Sequence, residues 1–152
     1  MIEIFPGGPD DLMEIVALHQ ASFETPWDHK AFGELLAMPG SFLLVARRAP
    51  SENIMGFVLF RIAADEAEII TIAVDPAHRG QRIGEALVAG AVAQARAFGA
   101  SKLILEVAED NVAAIGLYER MGFSTAGRRP AYYERKVGRV AAHIMALALG
   151  QA

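Results

Sequence analysis

The run Ile69-Ile70-Thr71-Ile72-Ala73-Val74 stops at Asp75-Pro76, and Arg79-Gly80-Gln81-Arg82-Ile83-Gly84 then opens an Ala-rich stretch with helical spacing that lasts to Phe98. β-Branched residues in a row read as a strand, proline ends it, and the later apolar residues recur at a helical period. The segment is therefore strand, loop, helix. The first N–H groups of such a helix have no partner inside it, and its dipole adds positive potential there, which suits a phosphate or pyrophosphate. Gly80 and Gly84 let an anion come close to the backbone, and Arg79 and Arg82 add charge. An ordinary strand-to-helix turn is written with similar residues, so the hexapeptide alone is compatible with both.

The remaining composition narrows the classes. The 152 residues fit one domain, 1–152, large enough to bury a substantial core. Hydrophobic residues at 53% against 21% charged favour a packed globule over a disordered chain. A net charge of -4 argues against a nucleic-acid polycation. Cysteine is absent, which excludes a disulfide scaffold, a thiolate zinc site and a cysteine nucleophile, and suits a reducing cytoplasm. The start, Met1-Ile2-Glu3-Ile4-Phe5-Pro6, lacks the pattern of a signal peptide, and no apolar run is long enough for a bilayer. His19, His29, His78 and His143 are scattered without metal-ligand spacing, so no metal is expected.

Along the chain, residues 2–5 alternate like an edge strand, and 9–20 carry Leu12, Ile15, Val16 and Leu18 at helical spacing. Thr25-Pro26 opens a second helix over 27–38, ended by Pro39-Gly40. Residues 41–48 and 54–62 read as a hairpin around the turn 49–53. The strand 68–74 is so rich in Ile and Val that both its faces should be covered. A helix over 83–98 ends at Gly99, 103–107 is a further buried strand, and Asp110-Asn111 caps a helix running to Met121 and stopped by Gly122. Residues 123–127 and 140–147 close the chain as two strands. The order predicts a single-domain α/β fold, a mixed central sheet of about seven strands with helices on both faces.

This ordered set resembles the GCN5-related N-acetyltransferase (GNAT) superfamily, and within it the bacterial ribosomal-protein-alanine N-acetyltransferases (RimI-like). The residues that carry the likeness are Ile72-Ala73-Val74-Asp75-Pro76, the loop from Arg79 to Gly84, Leu105-Glu106-Val107, Asn111-Val112-Ala113-Ala114-Ile115 with Tyr118, Gly122-Phe123, Tyr132-Tyr133 and Ile144-Met145-Ala146-Leu147. They span nearly the whole chain. Two positions depart from the family pattern. Arg82 stands where the loop usually has glycine, and the acidic residue that precedes the last strand is replaced near Val140-Ala141.

The resemblance implies acetyl-CoA as cosubstrate, a splayed pair of central strands, and direct attack by an amine on the thioester. Acetyl transfer needs a neutral amine and a proton for the leaving thiolate. Glu106 sits in an apolar strand, where partial desolvation pushes a carboxyl toward the range of a general base; a strand-end glutamate facing solvent would look the same. The resemblance favours the base, acting directly or through a water. It gives Tyr118 the role of general acid, since a phenol stays protonated at neutral pH, although a core tyrosine is equally common. It gives cofactor binding to the backbone of Ile72, Ala73 and Val74, to Arg79, Gly80, Gln81, Arg82, Ile83, Gly84 and Glu85, and to Asn111, which also serves as a helix N-cap. Glu68 is the rival base. Trp27, Tyr132 and Tyr133 are the substrate-side residues, the tyrosines in a loop rich in arginine.

The expected acceptor is a protein N-terminus, a ribosomal protein beginning with alanine first among them. A lysine side chain or small amine is a second acceptor class. A non-catalytic acyl-CoA-binding module is the reading from outside the enzymes. Neither nucleic acid nor membrane is an expected partner. Arg128, Arg129, Arg135, Lys136 and Arg139 read first as a solvated charge run.

Overall fold

The computed structural model describes residues 2–23, 27–49, 52–134 and 138–150. Among them the elements run β1 (Glu3–Pro6), a 3-10 turn (Pro9–Asp11), α1 (Leu12–Ser22), α2 (His29–Ala37), β2 (Ser41–Arg47), β3 (Gly56–Ala63), β4 (Glu66–Val74), a 3-10 turn (Pro76–His78), α3 (Ile83–Ala97), β5 (Lys102–Ala108), α4 (Val112–Arg120), β6 (Ser124–Glu134) and β7 (Arg139–Ala148). The predicted order is the observed one. The seven strands form one sheet in the order β1-β2-β3-β4-β5-β7-β6, antiparallel except for β4 and β5.

Two apolar layers cover the sheet. On one face α3 buries Ile83, Leu87, Val88, Ala91, Val92 and Ala95, spaced at i, i+4, i+5, i+8, i+9 and i+12, against Val58, Phe60, Leu103 and Leu105. Each buried Leu, Ile or Val contributes about 1.5–3 kcal/mol relative to exposure. On the other face Ile15, Val16 and Leu18 of α1 and Phe32 of α2 pack on Val45, Phe57 and Leu59. Gly56 fixes how closely α3 sits. A Cβ there would lie 3.0 Å from the Ala73 carbonyl oxygen and 3.1 Å from Ile83 Cγ2, so its absence lets the first turn of α3 rest directly on the sheet.

Four expectations need correction. The second helix begins at His29, with Asp28 as its N-cap accepting from the Ala31 N–H at 2.9 Å; Trp27 precedes it, and Thr25-Pro26 lies outside the described residues. β4 is covered on both faces only in its C-terminal half, where Ile72 and Val74 pack with the α3 layer and Ile70 and Ala73 with the α1–α2 layer; Glu66 and Glu68 in its first half are exposed. β6 runs Ser124–Glu134, far past the expected end at 127, while β7, Arg139–Ala148, exceeds 140–147 by one residue at each end. Tyr132 and Tyr133 therefore lie on β6 and not in a loop. Arg128-Arg129-Pro130 reads as loop in one dimension, yet β6 is the edge of the sheet, where proline and charge are tolerated.

Candidate active site

The parallel pairing of β4 with β5 runs only through Glu66–Lys102, Ala67–Leu103 and Glu68–Ile104. Beyond it the strands part. β4 stays hydrogen-bonded to β3 as far as Val74, and β5 stays paired to β7 as far as Ala108, so a wedge opens between them. A bulge marks the place. Leu59 pairs with Thr71 and Phe60 with Ile69, which leaves Ile70 as an extra residue on β4. Such a bulge bends a strand and re-aims its side chains.

Two clefts meet in the wedge. The larger, about 900 Å³, runs from Ile72, Ala73 and Val74 along Arg79, Gly80 and residues 82–85 to α4. The smaller, about 360 Å³, is lined by residues 69–72 and 105–108 and by Tyr133. Ser22, Phe23, Ile72, Asn111, Ala114 and Tyr118 border both. Ser22 Oγ is buried at this junction with no hydrogen-bond partner.

The loop before α3 has the geometry of an anion cradle. Gly80 has φ +85° with open space around its Cα. Arg82, the N-cap, has φ 61° and ψ 25°, a left-handed conformation, and its side chain makes no capping bond. The N-terminal amides of α3 thus have no capping side chain of their own to accept from them. The arginine at the position expected to be glycine holds the backbone shape that glycine favours, at a cost of roughly 1–2 kcal/mol. Arg82 reaches Glu85 at only 3.9 Å and is largely exposed, so its charge stays available.

Glu106 lines the smaller cleft, and its side chain is 19% exposed. Its Oε1 meets Arg129 Nε at 2.9 Å. Glu68 lies outside both clefts on an exposed part of β4, yet its proton affinity is raised, first by desolvation and then by the charge of Glu106. Tyr118 is 5% exposed, and burial, with a smaller contribution from Tyr133, pushes its phenol up to about 12. Asn111 caps α4, its Oδ1 accepting from the Ala114 N–H at 3.2 Å.

The structure therefore gathers Glu106, Tyr118, Tyr133, Asn111, residues 72–74 and most of the loop around one wedge. Gln81 is exposed and does not line it, and Tyr132 stands behind Tyr133. Trp27 is packed away, stacked on His19 with centroids 4.9 Å apart and edge-on to Phe32 at 5.4 Å. His19 in turn stacks on Phe23 at 4.1 Å, so a column of rings links Trp27 to the wedge. Ser22 and Phe23 escaped the sequence reading, because the end of an amphipathic helix carries no chemical signature.

The family model for the acetyltransferase (GNAT) family matches residues 12–123. The chain belongs to that family. It is an acyltransferase, which sets aside the non-catalytic reading. A relative from Escherichia coli (strain K12), the [ribosomal protein bS18]-alanine N-acetyltransferase, is 34% identical over 137 residues, covering 90% of each chain. The crystal structure of the ribosomal-protein-S18-alanine N-acetyltransferase from Escherichia coli superposes with a TM-score of 0.93 at 32% identity, over 100% of this chain and 96% of that one. Arabidopsis thaliana NAA60, solved in complex with acetyl-CoA, shares the fold at a TM-score of 0.85 and 20% identity, over 97% of this chain and 98% of that one.

Proposed function

We propose that this protein transfers the acetyl group of acetyl-CoA to the α-amine of a protein N-terminus, a ribosomal protein beginning with alanine being the leading acceptor. The observation that carries the reading is the meeting of two clefts at Tyr118, one floored by an uncapped helix N-terminus and the other by Glu106. The names of the relatives support the choice of acceptor.

The residues present fit acetyl-CoA. Residues 82–85 with Arg79 and Arg82 suit its pyrophosphate, and the unpaired edge of β4 at 72–74 suits strand-like addition of its amide-bearing arm. When bound, acetyl-CoA supplies an activated acetyl thioester. Glu106 accepts the proton that the acceptor amine gives up, directly or through a water. Tyr118 Oη holds the proton that a leaving thiolate takes. With no cysteine in the chain and no Ser–His–Asp arrangement visible in its sequence, no acyl-enzyme is expected and transfer is direct. An α-amine suits this modest machinery because its pKa is ~7.7–8.0, against ~10.4 for lysine, so far more of it is neutral at pH 7.

The test is a paired assay of one lysine-containing peptide beginning with alanine, free and N-blocked. Acetylation of the free peptide alone is expected. Equal rates on both would move the acceptor to the lysine or small-amine class.

A further inference from the structure

Glu106 is gripped by the β6–β7 arm through a closed circuit of contacts. Arg129 Nε lies 2.9 Å from Glu106 Oε1. The same guanidinium sits over the Tyr132 ring, 5.1 Å from its centroid. Tyr132 meets Tyr133 edge-on with centroids 5.1 Å apart. The Tyr133 hydroxyl then donates to the backbone carbonyl of Glu106 at 3.3 Å. An irregularity in the sheet lets one arm supply all three residues. From Arg129 to Tyr133 β6 advances four residues, while β7 moves only two, from Ala142 to Val140, so β6 carries two extra residues toward the cleft.

The charges around the site explain why the grip matters. Glu106 lies close enough to Glu68 to raise the cost of ionising it. The charged groups that act on Glu68 are Arg61 opposite it on β3, Glu66 on its own strand, Glu106 on β5 and Arg129 on β6. Arg129 acts on both carboxylates at once. It is 54% exposed at its side chain, so its place is held by the ion pair and the Tyr132 face more than by burial.

Resting on the reading of Glu106 as the base, we propose that Arg129 is a positioning residue: it fixes the Glu106 carboxylate in the acceptor cleft and offsets its repulsion with Glu68. The edge hairpin, and not β5 alone, then decides where the proton acceptor stands.

The experiment measures kcat and KM against pH on a peptide beginning with alanine, for wild type, Arg129→Gln, Arg129→Lys and the double variant Arg129→Gln/Glu68→Gln. Arg129→Gln should keep its melting temperature and its thermal response to acetyl-CoA. It should lose roughly 10- to 100-fold in kcat/KM, the scale of a displaced catalytic group. The acidic limb of its profile should move to higher pH, because the cation that faces both carboxylates is gone. Arg129→Lys keeps the charge without the fork and should restore much of the limb position. Adding Glu68→Gln to Arg129→Gln should return the limb toward lower pH. An Arg129→Gln enzyme with the wild-type limb overturns the proposal, whether its rate is unchanged or reduced. A wild type inactive on every α-amine would remove the reading of the reaction, and this inference with it. An active wild type beside an indifferent Arg129→Gln removes the inference alone.

Discussion

The backbone N–H of Trp27 donates to Nδ1 of His19 at 3.1 Å, across the gap between α1 and α2. His19 is buried, and that burial lowers its pKa from 6.5 to about 4. Protonation would also turn the Nδ1 acceptor into a donor facing another donor. Between pH 6.5 and 4 the unfolded chain binds a proton there that the folded chain refuses, so stability falls as pH drops through that window. The loss is on the order of 3 kcal/mol, level again below about 4. His19→Gln can still accept from Trp27 but does not titrate. Urea melts at pH 7 and pH 4.5 should show a smaller acid loss in the variant than in wild type. Equal losses would mean that His19 is protonated inside the fold.

Gly84 separates folding from cofactor binding. Its φ is not positive, and an added Cβ would meet Leu117 Cδ2 at 3.4 Å and Val74 Cγ2 at 3.8 Å, ordinary contacts. Gly84→Ala should fold, while Gly84→Leu should fill the larger cleft. Acetyl-CoA at a hundredfold excess over its dissociation constant should stabilise wild type by about 2.7 kcal/mol. Gly84→Leu should lose most of that response in a thermal-shift titration. A full response in this variant would put the cofactor elsewhere.

The two carboxylates can be told apart by replacing each with its amide. Glu106→Gln should cut turnover by roughly 10²–10⁴ and leave acetyl-CoA affinity nearly intact. Glu68→Gln should cost much less and shift the acidic limb, since its proton affinity is raised partly by Glu106. The reverse ranking in steady-state kinetics would transfer the base role to Glu68.

Tyr118→Phe deletes one hydroxyl and keeps the ring against Phe123, 5.7 Å away. With its pKa pushed up to about 12, the phenol keeps its proton across the working range and can hand it on. The variant should fold and bind acetyl-CoA normally but turn over more slowly, by a similar factor across the working pH range. Wild-type rates across the range would leave Tyr118 as packing alone.

Local rules made much of this protein legible in one dimension. Proline and glycine punctuation, the capping Asn111 and the period of α3 are properties of neighbouring residues, so the order of elements and the strand-loop-helix cradle follow from sequence. The family motifs then pointed to Glu106 and Tyr118. What sequence could not supply was anything set by pairing between distant segments. The pairing of β4 with β5 stops at Glu68 and Ile104 because of a bulge at Ile70, and only the register with β3 reveals that bulge. Arg128-Arg129-Pro130 is strand because it lies on an open edge, a fact of sheet order. Arg129 reaches Glu106, 23 positions earlier in the chain, because β7 lies between their strands and β6 carries two extra residues. Local propensity chose the elements; long-range hydrogen bonding and charge decided which side chains share the cleft.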